Sequence, residues 1–398
     1  MAAGEKAGRS GGAPRDAGLG HDGGAPRYTS TAHDGAALGE TPPATVAEAL
    51  RLAAQVLRSG RYAHMDDRSA RNEAEWLLSW VTGWNRTTLL VSLPDALSRE
   101  VWVRFWEAVE RRVNGEPLQY ITGEAAFFGR HFHVEPGCLI PRPETELLAE
   151  AAIPYISSDN GRLVRAADIG TGSGALAVTI ALECPQARVW AVDVSAEALR
   201  IAKGNAAHLG AAARVTFVLQ DGIEWLASQS ATQAASEAAL QAASEAASEA
   251  ASEVASEVAP QVAPQVAPQV APQVAPQVAP QVAPQAAAGG LHVLISNPPY
   301  IASEDILSLD PDVRDHEPRL ALDGGRDGLD FYRRLVALGQ GIFAPGPAAI
   351  FLEVGHNQAK DVIDLFAAPD ADFAGWTFDA LRDLQGIDRV VRGVRSAT

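Results

Sequence analysis

Four consecutive residues, Asn297-Pro298-Pro299-Tyr300, carry the clearest chemical signal in the chain. They follow a short apolar run, Leu291 to Ser296, which reads as a buried strand. Each proline fixes its own φ, removes an N–H donor and restricts the residue before it. Two in a row hold Asn297 and Tyr300 in a stiff frame. A turn of this composition at the C-terminal end of a strand suits one demanding task, methyl transfer to a planar, weakly nucleophilic nitrogen.

A second stretch, Asp168-Ile169-Gly170-Thr171-Gly172-Ser173-Gly174-Ala175, closes one strand and opens a helix. Glycines there permit positive φ and close approach of backbone to a ligand, and a helix N-terminus offers unpaired N–H groups. Gly170, Gly172 and Ala175 also satisfy the dinucleotide pattern G-x-G-x-x-A. Asp193 lies at the end of the next strand, where a carboxylate grips ribose hydroxyls. A nicotinamide cofactor and S-adenosylmethionine both fit so far. Two features favour S-adenosylmethionine: Asp168, just before the loop, can serve its amino-acid end, and hydride transfer has no evident use for the Asn-Pro-Pro-Tyr turn. Asp221, after the third strand, is placed either to meet the adenine amino group or to act as a turn residue before Gly222.

The elements that must hold these residues follow from periodicity. Leu163 to Ile169, Arg188 to Val194, Arg214 to Leu219 and Leu291 to Ser296 read as strands, with helices beginning at Ala175 and Ser195. Such alternation implies a parallel, doubly wound sheet, whose ligands bind outside the C-terminal strand ends. Ala349 to Leu352 is a further strand-like run, with Glu353 as a strand-end acid. Asp315, His316 and Glu317 read as loop surface. Upstream, Val46–Leu57, Ala70–Val81 and Arg99–Val113 have helical spacing, with Thr45 and Ser98 as N-caps and Glu48 completing a capping box. Residues 125–140 look extended, and Pro141 to Glu146 is a turn opening a helix. The domain reading is a disordered tail over 1–44, a helical domain over 45–124 and an α/β domain over 125–398.

The α/β domain is interrupted at 227–289 by Ala-Ser-Glu repeats and seven copies of Val-Ala-Pro-Gln. Proline at every fourth position forbids helix or central strand, so the second half reads as an extended, solvated spacer. Loop-closure cost grows slowly with length; without the insert, Asp221 and Asn297 would be 13 residues apart, an ordinary connection.

The net charge is −17, and the tail and insert together account for −6 of it. The remaining body is acidic and lacks the basic footprint of a non-specific nucleic-acid binder. Cys138 and Cys184 show neither CxxC nor Cys/His spacing, so no metal site or disulfide framework is expected. Without an apolar run near 20 residues or a secretory h-region, a cytoplasmic location is expected.

Taken together, these motifs resemble the HemK/PrmC family of glutamine-N5 methyltransferases. The resemblance rests on Pro117-Leu118-Gln119-Tyr120-Ile121-Thr122-Gly123, Phe127-Phe128-Gly129 and Ile140-Pro141-Arg142-Pro143-Glu144-Thr145-Glu146. The glycine loop, Asn297 to Tyr300, Gly324-Gly325-Arg326-Asp327-Gly328-Leu329 and Leu352-Glu353-Val354-Gly355 complete it. It implies a Rossmann-like class I methyltransferase domain with a small N-terminal helical domain that docks the substrate protein. S-adenosylmethionine is the implied methyl donor, with no metal, held by Asp168, Gly170, Thr171, Gly172, Ser173, Gly174, Asp193, Asp221 and Asn297. The implied acceptor is the glutamine of the Gly-Gly-Gln loop of peptide chain release factors. Asn297 and Pro298 would accept its two amide N–H bonds, and Pro299, Tyr300, Phe127 and Phe128 would pack around it. Asn297, Pro298 and Tyr300 are the expected catalytic residues, in a monomer with no direct nucleic-acid or membrane contact. The alternatives are a ribosomal-protein glutamine as acceptor, or a non-catalytic ribosome-associated module. The family places an aromatic residue directly after the acid of the third strand; here Gly222 and Ile223 follow Asp221, and Trp225 is not counted as an adenine contact.

Overall fold

The structure, a computed structural model, describes residues 42–60, 65–158, 162–230 and 290–396. The tail up to residue 41 and the repeats from 231 to 289 lie outside the described residues.

Four helices build the N-terminal unit: α1 (Val46–Ser59), α2 (Asp67–Thr82), α3 (Arg86–Val91) and α4 (Arg99–Val113), followed by the short α5 (Leu118–Thr122). Thr45 and Ser98 cap α1 and α4 by accepting from Glu48 N and Val101 N. The Glu48 carboxylate reaches back to Ala44 N rather than Thr45 N, a capping box displaced by one residue. Apolar faces of α1, α2 and α4 converge on Leu57, Leu77, Trp102 and Phe105, all fully buried. Arg112, buried on α4, pairs with Glu73 of α2 and lies 3.6 Å from Asp312, so this unit is tied to the second half of the chain.

A hairpin, β1 (Glu124–Phe127) and β2 (Arg130–His133), follows. Phe128 and Gly129 form its two-residue turn with φ of 50° and 70°, the left-handed pair that such turns require. The remainder winds around a seven-stranded sheet of β3 (Val164–Ile169), β4 (Ala187–Asp193), β5 (Val215–Leu219), β6 (Val293–Ser296), β7 (Ala348–Glu353), β8 (Trp376–Arg382) and β9 (Asp388–Arg395). The order is β5-β4-β3-β6-β7-β9-β8. The first five run parallel, as the sequence suggested, but β9 runs antiparallel between β7 and β8, so the sheet is mixed. That terminal hairpin escaped the sequence reading.

Side chains alternate across the sheet with the period of two that extended backbone imposes. Ala166, Val293, Ile295 and Phe351 join one core with α6 (Glu146–Ser157) and α7 (Ala175–Glu183), behind which packs α8 (Ala196–His208). Ala167, Leu294, Ile350 and Leu352 join the other core. There they meet α9 (222–230) and the later helices α12 (Asp330–Val336) and α13 (Ala359–Phe366). Two short helices, α10 (Pro311–His316) and α11 (Arg319–Leu322), precede α12. Helix α9 runs into the first residues of the insert: residues 227–230 are helical and Gln229 is buried. Trp225 is 1% exposed in this core, which explains why it is not available to a ligand. Among the described residues no helix is long and apolar enough to cross a membrane.

Candidate functional site

The C-terminal ends of β3, β4, β5 and β6 lie side by side, and each delivers one expected site residue: Asp168, Asp193, Asp221 and Asn297. The Ser296 hydroxyl donates to Ile169 O at 2.6 Å, locking the ends of β3 and β6 together. A Cβ on Gly170 would lie 3.9 Å from the Asn297 carbonyl oxygen, so the glycine loop and the Asn-Pro-Pro-Tyr turn are neighbours in one crevice.

The loop takes its shape from three glycines at positive φ: Gly170 (74°), Gly172 (56°) and Gly174 (80°). Its N–H groups at Gly170 and Thr171 both donate to Val192 O. Asp168 is 1% exposed, and its Oδ2 accepts from the Thr171 hydroxyl (2.6 Å) and from Ala177 N (3.1 Å). The Thr171 and Ser173 residues are buried as well, and Ser173 O is held by Asn205 Nδ2. The Thr171 side chain and one Asp168 oxygen are therefore spent on building the loop, which offers mainly its backbone to a ligand. Burial pushes the Asp168 carboxyl up to about 7, against the pull of Thr171 and Ala177. Its other oxygen, Oδ1, is buried without a hydrogen bond among the described residues. A buried orphan acceptor beside a glycine cradle suits a cationic or proton-donating group such as an ammonium or sulfonium ligand.

Asp193 is half-buried; Oδ2 accepts from Gly172 N and Oδ1 from Ser195 N, and burial raises its pKa. A carboxylate with one bond on each oxygen keeps lone pairs for ribose hydroxyls. Asp221 behaves as the turn residue: its Oδ1 caps α9 by accepting from Ile223 N and Glu224 N, and it pairs with Arg334 at 2.9 Å. Burial works against its carboxylate, but the Glu224 N–H and Arg334 outweigh it and lower the pKa. A Cβ on Gly222 would come within 2.2 Å of Ile169 Cγ2, so this position is glycine because the crevice floor passes directly beneath it.

At the turn, Asn297 Nδ2 donates to Thr145 Oγ1 at 3.0 Å, a contact bridging 152 residues of sequence. That bond fixes the amide's orientation and leaves its oxygen as the free acceptor. Tyr300 is held on every side. Its hydroxyl donates to Glu353 Oε1 at 3.2 Å, its carbonyl accepts from Gln358 Nε2 at 2.9 Å, and a Cβ on Gly355 would sit 3.2 Å from its ring. Burial and the adjoining Glu353 carboxylate raise the Tyr300 pKa. The Gly-Gly-Arg-Asp-Gly segment has its explanation here too. Cβ atoms on Gly324 and Gly328 would lie 2.7 Å from Pro299 O and 2.2 Å from Tyr300 O, so only glycine lets this backbone brace the turn. Glu353 itself is 2% exposed, with burial pushing it up to about 7 against the Thr145 and Tyr300 hydroxyls.

Beside the turn opens a cavity of about 190 Å³, bounded by Asn297, Tyr300, Arg142 and the apolar Leu139, Val313 and Leu322. Its wall rests on a buried ion pair that corrects the sequence reading: Glu317 is 6% exposed, not loop surface, and takes Arg142 and Ile140 N on its two oxygens. Phe127 is a second correction. It is fully buried and packs edge-to-face on Phe132, because strand alternation points it into the core. Phe128, the turn residue, is half-buried and strained at positive φ, and its N–H is anchored by Glu146 Oε1 at 2.8 Å.

The sheet order and this crevice define a Rossmann-like class I methyltransferase. Residues 48–123 match the PrmC N-terminal domain family, and residues 166–261 match the Methyltransferase domain family. A release factor glutamine methyltransferase of Moorella thermoacetica is 36% identical over 301 residues, covering 76% of this chain and 84% of the relative. One from Bacillus subtilis is 33% identical over 351 residues, covering 87% of this chain and 96% of the relative. A solved release-factor-specific protein-(glutamine-N5) methyltransferase from Alicyclobacillus acidocaldarius is 31% identical, covers 67% of this chain and 99% of its own, and superposes with a TM-score of 0.34. By its sequence relationships the chain belongs to the release factor glutamine methyltransferase family, S-adenosylmethionine-dependent enzymes.

Proposed function

We propose that the protein methylates the side-chain amide nitrogen of the glutamine in the Gly-Gly-Gln motif of peptide chain release factors. The observation that carries this reading is the pinned amide of Asn297: with Nδ2 bound to Thr145, Oδ1 remains an acceptor in a crevice shared with the glycine loop.

Gly170 to Gly174, Asp168 and Asp193 would hold S-adenosylmethionine, which would supply an electrophilic methyl group and leave as the neutral thioether. The chain's own residues do the rest. A glutamine nitrogen is a poor nucleophile because its lone pair is delocalised into the carbonyl. Asn297 Oδ1 and Pro298 O would accept its two N–H bonds, fix its position and favour positive charge as the new bond forms. The Tyr300 ring, tethered through its hydroxyl to Glu353 and seated against Gly355, with its backbone held by Gln358, would face the amide plane. Catalysis is then positioning plus electrostatics, and the proton leaves after transfer without a dedicated base. The cavity beside the turn, lined in part by Arg142, would take the backbone flanking the glutamine, where small residues fit. The helical unit would dock the protein substrate: Trp76 and Trp80, one turn apart on α2, are 46% and 41% exposed. This reading places the enzyme with the translation machinery in the cytoplasm.

Labelled S-adenosylmethionine should deliver one methyl per purified release factor, and changing the factor's Gly-Gly-Gln glutamine to alanine should remove the uptake. Undiminished uptake by the alanine variant would place the acceptor elsewhere.

A further inference from the structure

We propose that Glu353 is a positioning residue for methyl transfer, holding the Asn297–Tyr300 turn from behind at both ends: Tyr300 directly, and Asn297 through the Thr145 hydroxyl. The proposal rests on the glutamine-methylating reading above and extends it to residues that touch neither substrate nor cofactor.

The geometry begins with a proton count. Thr145 Oγ1 accepts from Asn297 Nδ2, so its own hydroxyl proton must go to another acceptor. The Thr145 hydroxyl lowers the Glu353 pKa, as a donor to that carboxyl does. One Glu353 oxygen, Oε1, takes the Tyr300 hydroxyl, while Oε2 is buried with no hydrogen bond among the described residues. Buried acceptors demand a partner, and closing the Thr145 hydroxyl onto this carboxylate completes a chain from Glu353 through Thr145 to Asn297. With the Thr145 proton drawn toward Glu353, its lone pair faces the Asn297 NH₂. A flipped Asn297 would set oxygen against oxygen, so the amide presents only Oδ1 to the acceptor.

The backbone that carries the carboxylate is itself fixed. Tyr332, fully buried, donates its hydroxyl to Glu353 O at 2.6 Å. Strand β7 is paired on both sides, by β6 and β9, up to this end. Glu144 and Arg389 are the charged groups that act on Glu353, one raising and one lowering its pKa. This arrangement needs the ionised carboxylate, the form that burial disfavours and that the Thr145 and Tyr300 hydroxyls favour by lowering the Glu353 pKa. Glutamine would accept one and offer N–H to the other, competing for the Thr145 lone pair that orients Asn297.

The test uses the full chain with S-adenosylmethionine and a purified release factor, comparing wild type with Glu353→Gln, Thr145→Val and Thr145→Ser. The expected result is a fall in kcat of about tenfold or more for Glu353→Gln and Thr145→Val, since misorienting a positioned group costs rate rather than binding. The Kd for S-adenosylmethionine and the KM for release factor should stay within about threefold, and Thr145→Ser, which keeps the hydroxyl, should retain wild-type kcat within about threefold. Near-normal kcat in Thr145→Val overturns the proposal. So does a loss of cofactor affinity that equals the loss of kcat, because a merely structural acid would act that way. Should Glu353→Gln fail to fold, the Thr145 pair decides alone. Wild type that leaves the glutamine unmethylated removes the underlying reading; wild type that methylates it alongside unimpaired variants removes only this inference.

Discussion

Asn297→Ala should lower methyl transfer by about 10²-fold or more, about 3 kcal/mol of transition-state stabilisation, while S-adenosylmethionine still binds. The side chain removed is the one acceptor in the turn whose orientation the fold dictates. Thr145 holds Nδ2 at 3.0 Å, and the oxygen opposite has no alternative direction. Alanine keeps the backbone, and two following prolines still impose the turn's shape. The Asn297 carbonyl, which adjoins Gly170, is also kept. Cofactor affinity, measured by calorimetry, should therefore change by less than about threefold, whereas single-turnover methylation should collapse. A variant with both properties reduced in parallel would mean that Asn297 builds the cofactor site instead.

Gly174→Val should cost about 3 kcal/mol of stability and weaken S-adenosylmethionine binding at least about tenfold. Gly174 caps α7 at φ 80°, a conformation that costs an L-residue about 1–2 kcal/mol. Its Cβ would also lie 2.9 Å from Ala202 Cβ and 3.2 Å from Ala202 Cα, on a helix that cannot yield. Overpacking of this kind adds about 1–3 kcal/mol. At about 2 °C or more per kcal/mol for a chain of this size, the melting midpoint should fall by about 6 °C or more. Gly172→Ala is the internal comparison: φ is 56°, and nothing lies within 4 Å of its Cβ. It should show only the conformational penalty. Equal losses in the two variants, read by thermal melting, would contradict the packing argument.

The residues that proved easiest to read from sequence sit where local periodicity changes. Asp168, Asp193 and Asn297 each end a short apolar strand, and a doubly wound sheet gathers such ends on one edge. The braces behind them follow no local rule. Thr145 meets Asn297 across 152 residues, Arg142 meets Glu317 across 175, and Gln358 meets Tyr300 across 58. No periodicity within a helix or strand encodes such pairs. Thr145 stood inside a recognised motif, yet its partner was invisible until β6 was placed beside the turn that opens α6. Phe127 and Phe128 show the same limit at shorter range. They are adjacent and identical, and only the hairpin's register buries one and exposes part of the other. Gly324, Gly328 and Gly355 stood in the sequence only as motif residues; their reason is the Pro299 and Tyr300 backbone and the Tyr300 ring pressed against them. The β8–β9 hairpin was not read at all, because its antiparallel β9 departs from the alternation that identified the rest of the sheet.

The central claim is that the crevice at the end of β6 modifies an amide nitrogen of a protein glutamine. Tandem mass spectrometry of a release factor after incubation with the protein and S-adenosylmethionine reads this directly. The account predicts a single added methyl group, localised by fragment ions to the side chain of the Gly-Gly-Gln glutamine. A methyl on any other residue, or an unmodified Gly-Gly-Gln peptide under conditions where the cofactor binds, would contradict it.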